Sequence, residues 1–301
     1  MNFEGRWIWP AVLAMASAGV AGGLLRSQYE RNHFVEEETL IVSPKVKRPR
    51  KLVFLSDLHD KEFGAANEQL LKAIAGIRPD AVLIGGDTMV VKPGKASLEV
   101  TERLLDGLCR LEGKPAILYG DGNHEQRMQW EQAQYGTLYT EFREMLAARG
   151  ILYLHDQTAM LGEDLAVSGL EIEKSYYRDF APNCMSAEYV REHLGMPDSD
   201  RFQILMAHSP LFMKAYDGWG ADLSLAGHFH GGTIRLPGLG GVMTPQFQFF
   251  LSVCSGEFEQ DGHHMIVSRG LGTHSINIRF NNRPQVVVIR LEPDAARSVT
   301  L

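Results

Sequence analysis

Acidic, amide and imidazole side chains follow five apolar runs of this sequence, at the point where each run ends. The runs are KLVFL (51–55), AVLIG (81–85), AILY (116–119), QILMA (203–207) and LSLAG (223–227). The polar residues that follow these runs in the sequence are Asp57, His59, Asp87, Asn123, His124, His208, His228 and His230. Carboxylate and imidazole groups are ligands that Mn²⁺, Fe and Zn²⁺ use in proteins. Together these residue types predict a metal site.

Each of these residues has a simpler explanation when it is taken alone. An Asp or Asn behind a strand commonly caps the next helix, and a single His is more often a hydrogen-bonded turn residue than a ligand. Independent caps would not favour imidazole at so many strand ends. The carboxyl ends of parallel strands also meet at one edge of a sheet. His228 and His230 are two residues apart, so an extended segment directs both to one side.

Short apolar runs alternate with helical patterns from Lys51 onward, which is typical of an α/β domain. Helices are predicted at 66–77, 98–111 and 137–148. Four further strands are predicted at 151–154, 165–169, 264–268 and 286–291. No internal repeat or flexible linker divides this part of the chain. We therefore predict one catalytic domain at 51–301, behind a basic linker at 31–50 and a membrane anchor at 1–30.

The predicted anchor rests on an uncharged run, Trp7 to Leu25, which lies between Arg6 and Arg26. The run is just long enough to span a bilayer as a helix, and its tryptophans lie where interfacial aromatics are found. Small-x-small patterns at 14–16 and 16–18 leave a cleaved export signal open, and a buried core helix is a third reading. Basic residues behind the run, including KVKRPRK (45–51), favour a cytoplasmic catalytic domain. We expect a single-pass protein of the cell membrane.

The charge balance and the cysteines exclude some classes of function. A formal net charge of −7 and a pI near 5.9 disfavour a general nucleic-acid binder, so no nucleic-acid partner is expected. Cys109, Cys184 and Cys254 lie far apart and form no C-x-x-C pair. Neither a disulfide framework nor a thiolate zinc site is expected.

The ordered motifs resemble those of the calcineurin-like metallophosphoesterase superfamily. The family pattern is D-x-H, G-D, G-N-H-[DE], a lone His and G-H-x-H, and the sequence follows it in order from about residue 51 to residue 232. The matching segments are Asp57–His59, Gly86–Asp87, Gly122–Glu125, His208 and Gly227–His230. The N-terminal run and the stretches LPGLGG and SRGLG are similar to the membrane-associated bacterial branch that includes YkuE-like and YaeI-like phosphoesterases.

The resemblance implies two packed mixed β-sheets flanked by helices, an α/β/β/α arrangement in four layers, with two divalent metal ions at the strand ends. Asp57, His59 and His230 would hold the first metal, Asn123, His208 and His228 the second, and Asp87 both. The ions, Mn, Fe or Zn, would share a hydroxide that attacks the phosphoester. His124 would protonate the leaving oxygen or stabilise developing charge.

Three features depart from the commonest family pattern. Asp121 adds an acid beside the motif, and Phe229 stands between the paired histidines where a small polar residue is frequent. Some relatives also orient the catalytic His with a second Asp behind G-D. Residues 88–90 are Thr-Met-Val here, so no orienting carboxylate can be named from the sequence.

The implied function is metal-dependent hydrolysis of a phosphodiester or a phosphomonoester. A lipid or lipid-linked substrate is one hypothesis, because an anchor would hold the domain at a membrane and the stretch 244–258 is rich in aromatic residues. Phe247, Phe249 and Phe250 would form an apolar lip, and SYYRDF (175–180) a second wall with Arg178. The alternatives are a soluble nucleotide or sugar phosphate hydrolase and a metal-binding scaffold without catalysis.

Overall fold

Two six-stranded β-sheets form where the sequence places its apolar runs. The computed structural model describes residues 8–177, 184–273 and 276–294. The strands are β1 (Val35–Ser43), β2 (Arg50–Leu55), β3 (Ala81–Ile84), β4 (Ala116–Gly120), β5 (Leu152–Leu154), β6 (Gln157–Leu161), β7 (Leu165–Gly169), β8 (Phe202–Met206), β9 (Leu223–Ala226), β10 (Arg235–Leu236), β11 (Gly240–Gly241), β12 (Gly256–Gln260), β13 (His263–Val267) and β14 (Gln285–Pro293). The helices are α1 (Ile8–Asn32), α2 (Glu68–Ile77), α3 (Glu99–Cys109), α4 (Asn123–Trp130), α5 (Gln132–Tyr135), α6 (Leu138–Ala148), α7 (Ala187–Leu194) and α8 (Met213–Trp219).

The first sheet has the order β1-β14-β2-β3-β4-β5. Strands β2 to β5 are parallel, β14 is antiparallel to β2, and β1 is parallel to β14. Every residue of β3 is buried, as expected for a parallel strand that is covered on both faces. Because β2, β3 and β4 run the same way, the loops behind them meet at one edge of the sheet.

The second sheet has the order β12-β13-β9-β8-β7-β6. Its four inner strands, β13, β9, β8 and β7, are parallel, and the two edge strands are antiparallel to their neighbours. The loops behind β8 and β9 therefore also lie at a common edge. They carry His208 and the paired histidines.

Three apolar cores separate the layers of the molecule. The first lies between the first sheet and its helices, where Leu104 of α3 and Val82 of β3 belong to one cluster. The second lies between the sheets and includes Phe54 of β2 and Ile204 of β8. The third lies between the second sheet and helices α7 and α8. Two mixed sheets flanked by helices confirm the predicted α/β fold class.

The N-terminal helix differs from the prediction. Among its described side chains only Ser27 and Glu30 are buried, so α1 is not a core helix. Within the described residues, no helix is both long and apolar enough to cross a bilayer, so the predicted single-pass location in the cell membrane is wrong. Nine of the nineteen residues from 7 to 25 are Ala, Gly or Ser, which contribute little apolar area, and the helix continues into the polar stretch 26–32. Trp7, one of the two predicted interfacial tryptophans, lies outside the described residues.

Most of the predicted strands and helices between 51 and 291 are present within a few residues of their expected bounds. Strands β1, β6 and β12 and helices α4, α5, α7 and α8 were not predicted. Strand β1 lies inside the range 31–50, which we predicted to be a basic linker. Of the second predicted wall, residues 175–177 are described, and Arg178 lies outside the described residues.

Candidate metal centre

The loops behind β2 and β3 hold each other through backbone hydrogen bonds. The amides of Asp57, His59 and Asp60 donate to the carbonyls of Gly86, Asp87 and Thr88, over 3.0, 3.0 and 3.1 Å. Asp57, His59 and Asp87 all have left-handed backbones, with φ of 53°, 47° and 53°. Non-glycine residues in this region are strained, and such strain clusters at functional sites.

Two glycines let the loops behind β3 and β4 come into contact. A Cβ atom at Gly86 would collide with the backbone nitrogen of Gly122, and one at Gly122 would collide with Oδ1 of Asp87. Gly86 also has a φ of 83°, which favours glycine. The G-D and G-N-H-E motifs therefore need their glycines in order to place Asp87 beside α4, where Oδ1 of Asp87 accepts from the amide of His124 over 2.8 Å.

The loops behind β8 and β9 supply the remaining imidazoles. Nδ1 of His208 lies 2.8 Å from the carbonyl oxygen of Gly85 and donates to it, which leaves Nε2 to face the cluster. The amide of His228 donates to both oxygens of Asp57, over 3.0 and 3.1 Å. The ring of Tyr177 packs edge-on against His228, with 5.1 Å between centroids.

The candidate ligand atoms converge in two neighbouring clusters. Within each cluster one side-chain atom per residue lies within 4.8 Å of the others, and the clusters are Asp57–His59–His230 and Asp87–His208–His228. Oδ2 of Asp87 lies 3.2 Å from Nε2 of His208 and 3.7 Å from Nε2 of His59, so this oxygen stands between the two clusters. A third grouping of the same kind joins His59, Asp87 and His124.

Glu125 is a buried carboxylate for which no role was predicted. It supports the site through hydrogen bonds. Glu125 accepts hydrogen bonds from the amides of Asp87, Thr88 and Gly122 and from the hydroxyl of Tyr119, over 2.8, 3.1, 3.0 and 2.6 Å. It is fully buried. Glu125 is the last residue of the G-N-H-E motif, and that position could have identified it in the sequence. Glu125 therefore ties the loop of Asp87 to the start of α4.

His124 is oriented by a backbone amide. The amide of Val91 donates to Nδ1 of His124 over 2.8 Å, so Nδ1 is the accepting nitrogen and Nε2 carries the proton of the neutral ring. Burial lowers the pKa of His124, which favours this neutral form. The loop 88–91 thus fixes the imidazole that some relatives fix with a carboxylate.

The two other departures from the family pattern have structural explanations. The oxygens of Asp121 accept from the hydroxyl of Tyr153 and from Nδ1 of His155, the latter over 2.6 Å. Burial opposes charge on His155, but Asp121 raises its pKa to about 9, so the pair is ionic at neutral pH. Phe229 is fully buried, which accounts for an apolar residue between the paired histidines.

The electrostatics of the cluster favour positive charge. Burial raises the pKa of Asp57 to about 6. Burial also opposes charge on Asp87, but the imidazoles of His208, His124 and His59 hold its pKa well below the usual range. Burial opposes charge on His208 too, and Asp87 nevertheless raises its pKa to about 10. Metal binding would displace such a proton, because ligating imidazole must be neutral.

The donor set fits divalent metal ions. Oδ1 of Asn123 is buried and has no hydrogen-bond partner among the described residues, and such a buried acceptor is costly unless something binds it. Imidazole and carboxylate donors without thiolates suit Mn²⁺, Fe or Zn²⁺. The clustered Asp and His residues indicate divalent metals without fixing which one.

Comparisons with known proteins agree with this geometry. The family model described as calcineurin-like phosphoesterase matches residues 50–232, which confirms the predicted resemblance. An uncharacterized metallophosphoesterase of Bacillus subtilis, YkuE, is 27% identical over 93% of this chain and 93% of its own length. The phosphodiesterase YaeI of Escherichia coli is 26% identical over 81% of this chain and 82% of its own. The UDP-2,3-diacylglucosamine pyrophosphatase LpxG of Chlamydia trachomatis is 23% identical over 80% and 83%.

Proposed function

Since this chain belongs to the calcineurin-like phosphoesterase family and is a hydrolase of phosphoester bonds, we propose that it holds two divalent metals and cleaves a phosphodiester. The observation that supports it is the pair of Asp/His clusters that Asp87 links through its contacts with His208 and His59. Both clusters are buried at the common edge of the parallel strands, where α/β folds bind ligands.

The proposed ligands follow the two clusters. The first metal would be held by Asp57, His59 and His230, and the second by Asn123, His208 and His228, and Asp87 would contribute to both positions. Two metals in such a site polarise the phosphoryl oxygens and lower the pKa of the attacking water. The neutral oxygen of Asn123 limits the negative charge at the second position, where Asp87 already supplies a carboxylate.

His124 is the proposed catalytic residue. Its Nδ1 accepts from the amide of Val91, so Nε2 carries an N–H that can donate a hydrogen bond to the leaving oxygen or to the phosphoryl oxygens. The bond from Val91 keeps this tautomer, and the bond from the His124 amide to Asp87 fixes the start of α4 relative to the ligands. The chain's own contribution is therefore an oriented hydrogen-bond donor beside the metal ligands.

Metal removal tests the proposal directly. We expect protein treated with EDTA and dialysed to lose hydrolysis of bis(p-nitrophenyl) phosphate and to regain it on addition of Mn²⁺. The phosphomonoester p-nitrophenyl phosphate, assayed in parallel, separates diesterase from monoesterase activity. Full activity in metal-free protein would contradict the proposed mechanism, and two bound metals without turnover of either ester would favour the non-catalytic scaffold.

An apolar cavity beside His230 supports a substrate with an apolar arm. The cavity has a volume of about 250 Å³ and is lined by His230, Thr233, Met243, Thr244, Pro245, Phe247 and Ile276. The cavity is lined both by His230, a proposed metal ligand, and by apolar side chains. A phosphoester bound at the metals would therefore place one ester arm in this cavity. The relative LpxG is named for a diacylated substrate, which agrees with such an arm. We propose a lipid-type or lipid-linked phosphodiester over a soluble nucleotide or sugar phosphate.

We expect Phe247→Asn to weaken a preference for a long ester arm. The assay compares octyl and methyl p-nitrophenyl phosphate, which share a leaving group and differ in the other arm. Phe247 is 47% exposed, so an octyl arm could cover about half of its side chain. Fully burying such a group contributes about 1.5–3 kcal/mol, so the wild-type preference for octyl should fall about 5-fold in kcat/KM.

Phe249→Asn is the matched control for this cavity. Phe249 is 59% exposed, lies two residues away and does not line the cavity, so the preference should survive its replacement. If the wild-type enzyme handles the two esters equally, the apolar-arm hypothesis is wrong and a soluble phosphate is the better candidate.

A further inference from the structure

The last turns of α1 are built into the catalytic domain. Oγ of Ser27 accepts from the amide of Arg279 over 3.1 Å, and Oε2 of Glu30 accepts from the amide of Asn282 over 2.9 Å. Ser27 is 4% exposed and Glu30 is 0% exposed, although the helix before them is largely exposed. Two neighbouring helical turns therefore hold the segment 279–282, hereafter the α1-bound segment.

Through Asn282 the α1-bound segment holds the turn of His230. Nδ2 of Asn282 donates to the carbonyl oxygens of His230 and Thr233, over 2.7 and 3.2 Å, and Asn282 is 1% exposed. All four residues from His230 to Thr233 have left-handed backbones, with φ of 49°, 66°, 77° and 59°. Each non-glycine residue in that conformation costs roughly 1–2 kcal/mol. Such a turn persists only where the surroundings enforce it, and Asn282 bridges both of its ends.

Through Arg279 the α1-bound segment also supports Asp57. The buried guanidinium of Arg279 donates to the carbonyls of Arg269 and Gly270, over 2.8 and 3.2 Å, and to that of Gly272. The amide of Gly272 donates to the carbonyl of Asp57 over 2.6 Å. Gly270 packs so closely on Asp57 that a Cβ atom there would collide with it. Arg279 therefore fixes the loop that backs Asp57.

We propose that Glu30 and Ser27 are positioning residues for the first metal position. They act through the α1-bound segment on His230 and Asp57, which are two of its three proposed ligands. The inference rests on the ligand assignment proposed above. In the described part of the chain, the side chains of Glu30 and Ser27 form hydrogen bonds with Arg26, Arg279 and Asn282, and none with Asn123, His208 or His228. On this proposal the catalytic unit includes the last turns of α1.

Calorimetric titration of metal-free, full-length protein with Mn²⁺ tests this role without an activity assay. We expect wild-type protein to show two binding steps. Glu30→Ala should weaken one step about 10-fold or more and leave the other unchanged, because partners that orient metal ligands typically contribute 10- to 100-fold in affinity. Glu30→Gln should restore that step, since its amide oxygen can still accept from Asn282.

Two further variants isolate the contact. Gln28→Ala changes an exposed residue of the same helical turn and should titrate like wild type. Ser27→Ala removes only the bond to the Arg279 amide, so it should weaken the same step to a smaller extent, and it provides the measurement if Glu30→Ala does not fold. Circular dichroism of each variant records its fold.

The outcomes of these titrations separate the positioning role of Glu30 and Ser27 from the assignment of the metal ligands on which it rests. Two wild-type steps that stay unchanged in both Glu30→Ala and Ser27→Ala would overturn the positioning role alone. Equal weakening of both steps in these variants would also overturn it, because that result indicates general loosening of the domain. Wild-type protein that binds no Mn²⁺ would overturn the metal assignment and this inference with it.

Discussion

Replacing Asp87 with Ala is expected to remove both metals and with them the hydrolytic activity. Asp87 links the two clusters, because its Oδ2 lies 3.2 Å from Nε2 of His208 and 3.7 Å from Nε2 of His59. Residues that only orient ligands contribute about 10- to 100-fold in metal affinity, so a ligand common to both metals should contribute more. Elemental analysis after dialysis gives the metal content, and bis(p-nitrophenyl) phosphate gives kcat/KM.

Asp60→Ala is the matched control for Asp87→Ala. Asp60 lies near the centre, and its carboxylate accepts from the amide of Val90 over 3.2 Å, but it belongs to none of the Asp/His groups in the described ranges. It should retain both metals. An Asp87→Ala protein that still contains two metals would show that the clusters are not the metal site.

The candidate ligands could be predicted because their signal is local in the sequence. Each stands within a few residues of an apolar run, and the strands β2, β3, β4, β8 and β9 formed close to where those runs predicted them. Parallel pairing then brings the strand ends together, which is why residues as distant in sequence as Asp57 and His230 lie in one cluster. The continuous apolar runs are consistent with that pairing, since the strands of parallel sheets are usually covered on both faces.

The residues that support the site could not be predicted, because their hydrogen-bond or strand partners are distant in sequence or are backbone groups. Strand β1, VEEETLIVS, shows little apolar pattern and is placed by its register with β14, in which Val35 pairs with Gln285. The contacts of Ser27 and Glu30 with the segment 279–282 join the two ends of the chain. The amide of Val91, which orients His124, has no sequence signature at all.

The predicted membrane span failed for a related reason. The span was predicted from the length of an uncharged run. The free energy of transferring a helix into a bilayer depends instead on the apolar area of its side chains. Ala, Gly and Ser fill much of α1 between residues 14 and 23, and its polar last turns pack on the catalytic domain. The absence of charge was therefore a weaker signal than it looked.

Replacing His124 with Ala is expected to lower turnover steeply while leaving the metal content near that of the wild type. Loss of one hydrogen-bond donor to developing charge typically costs about 10²–10³-fold in rate. His193→Ala is the control. His193 lies on α7, its Nδ1 is 2.6 Å from Oδ2 of Asp156, and it belongs to none of the Asp/His groups among the described residues. Loss of metal in parallel with rate would instead make His124 a ligand, as its grouping with His59 and Asp87 allows.

The leaving group separates the two roles that remain for His124. A general acid gives up its proton and matters most when the departing oxygen is basic, so in that role His124→Ala should slow a dialkyl phosphodiester by the full factor. It should then slow a p-nitrophenyl ester much less, because p-nitrophenolate departs without a proton. If His124 only stabilises charge on the phosphoryl oxygens, both esters should slow equally. Burial lowers the pKa of His124 and Val91 occupies its Nδ1, so the ring is neutral at neutral pH. Its Nε2–H can donate a hydrogen bond, but transfer of that proton would leave an imidazolate, and we therefore expect the equal result.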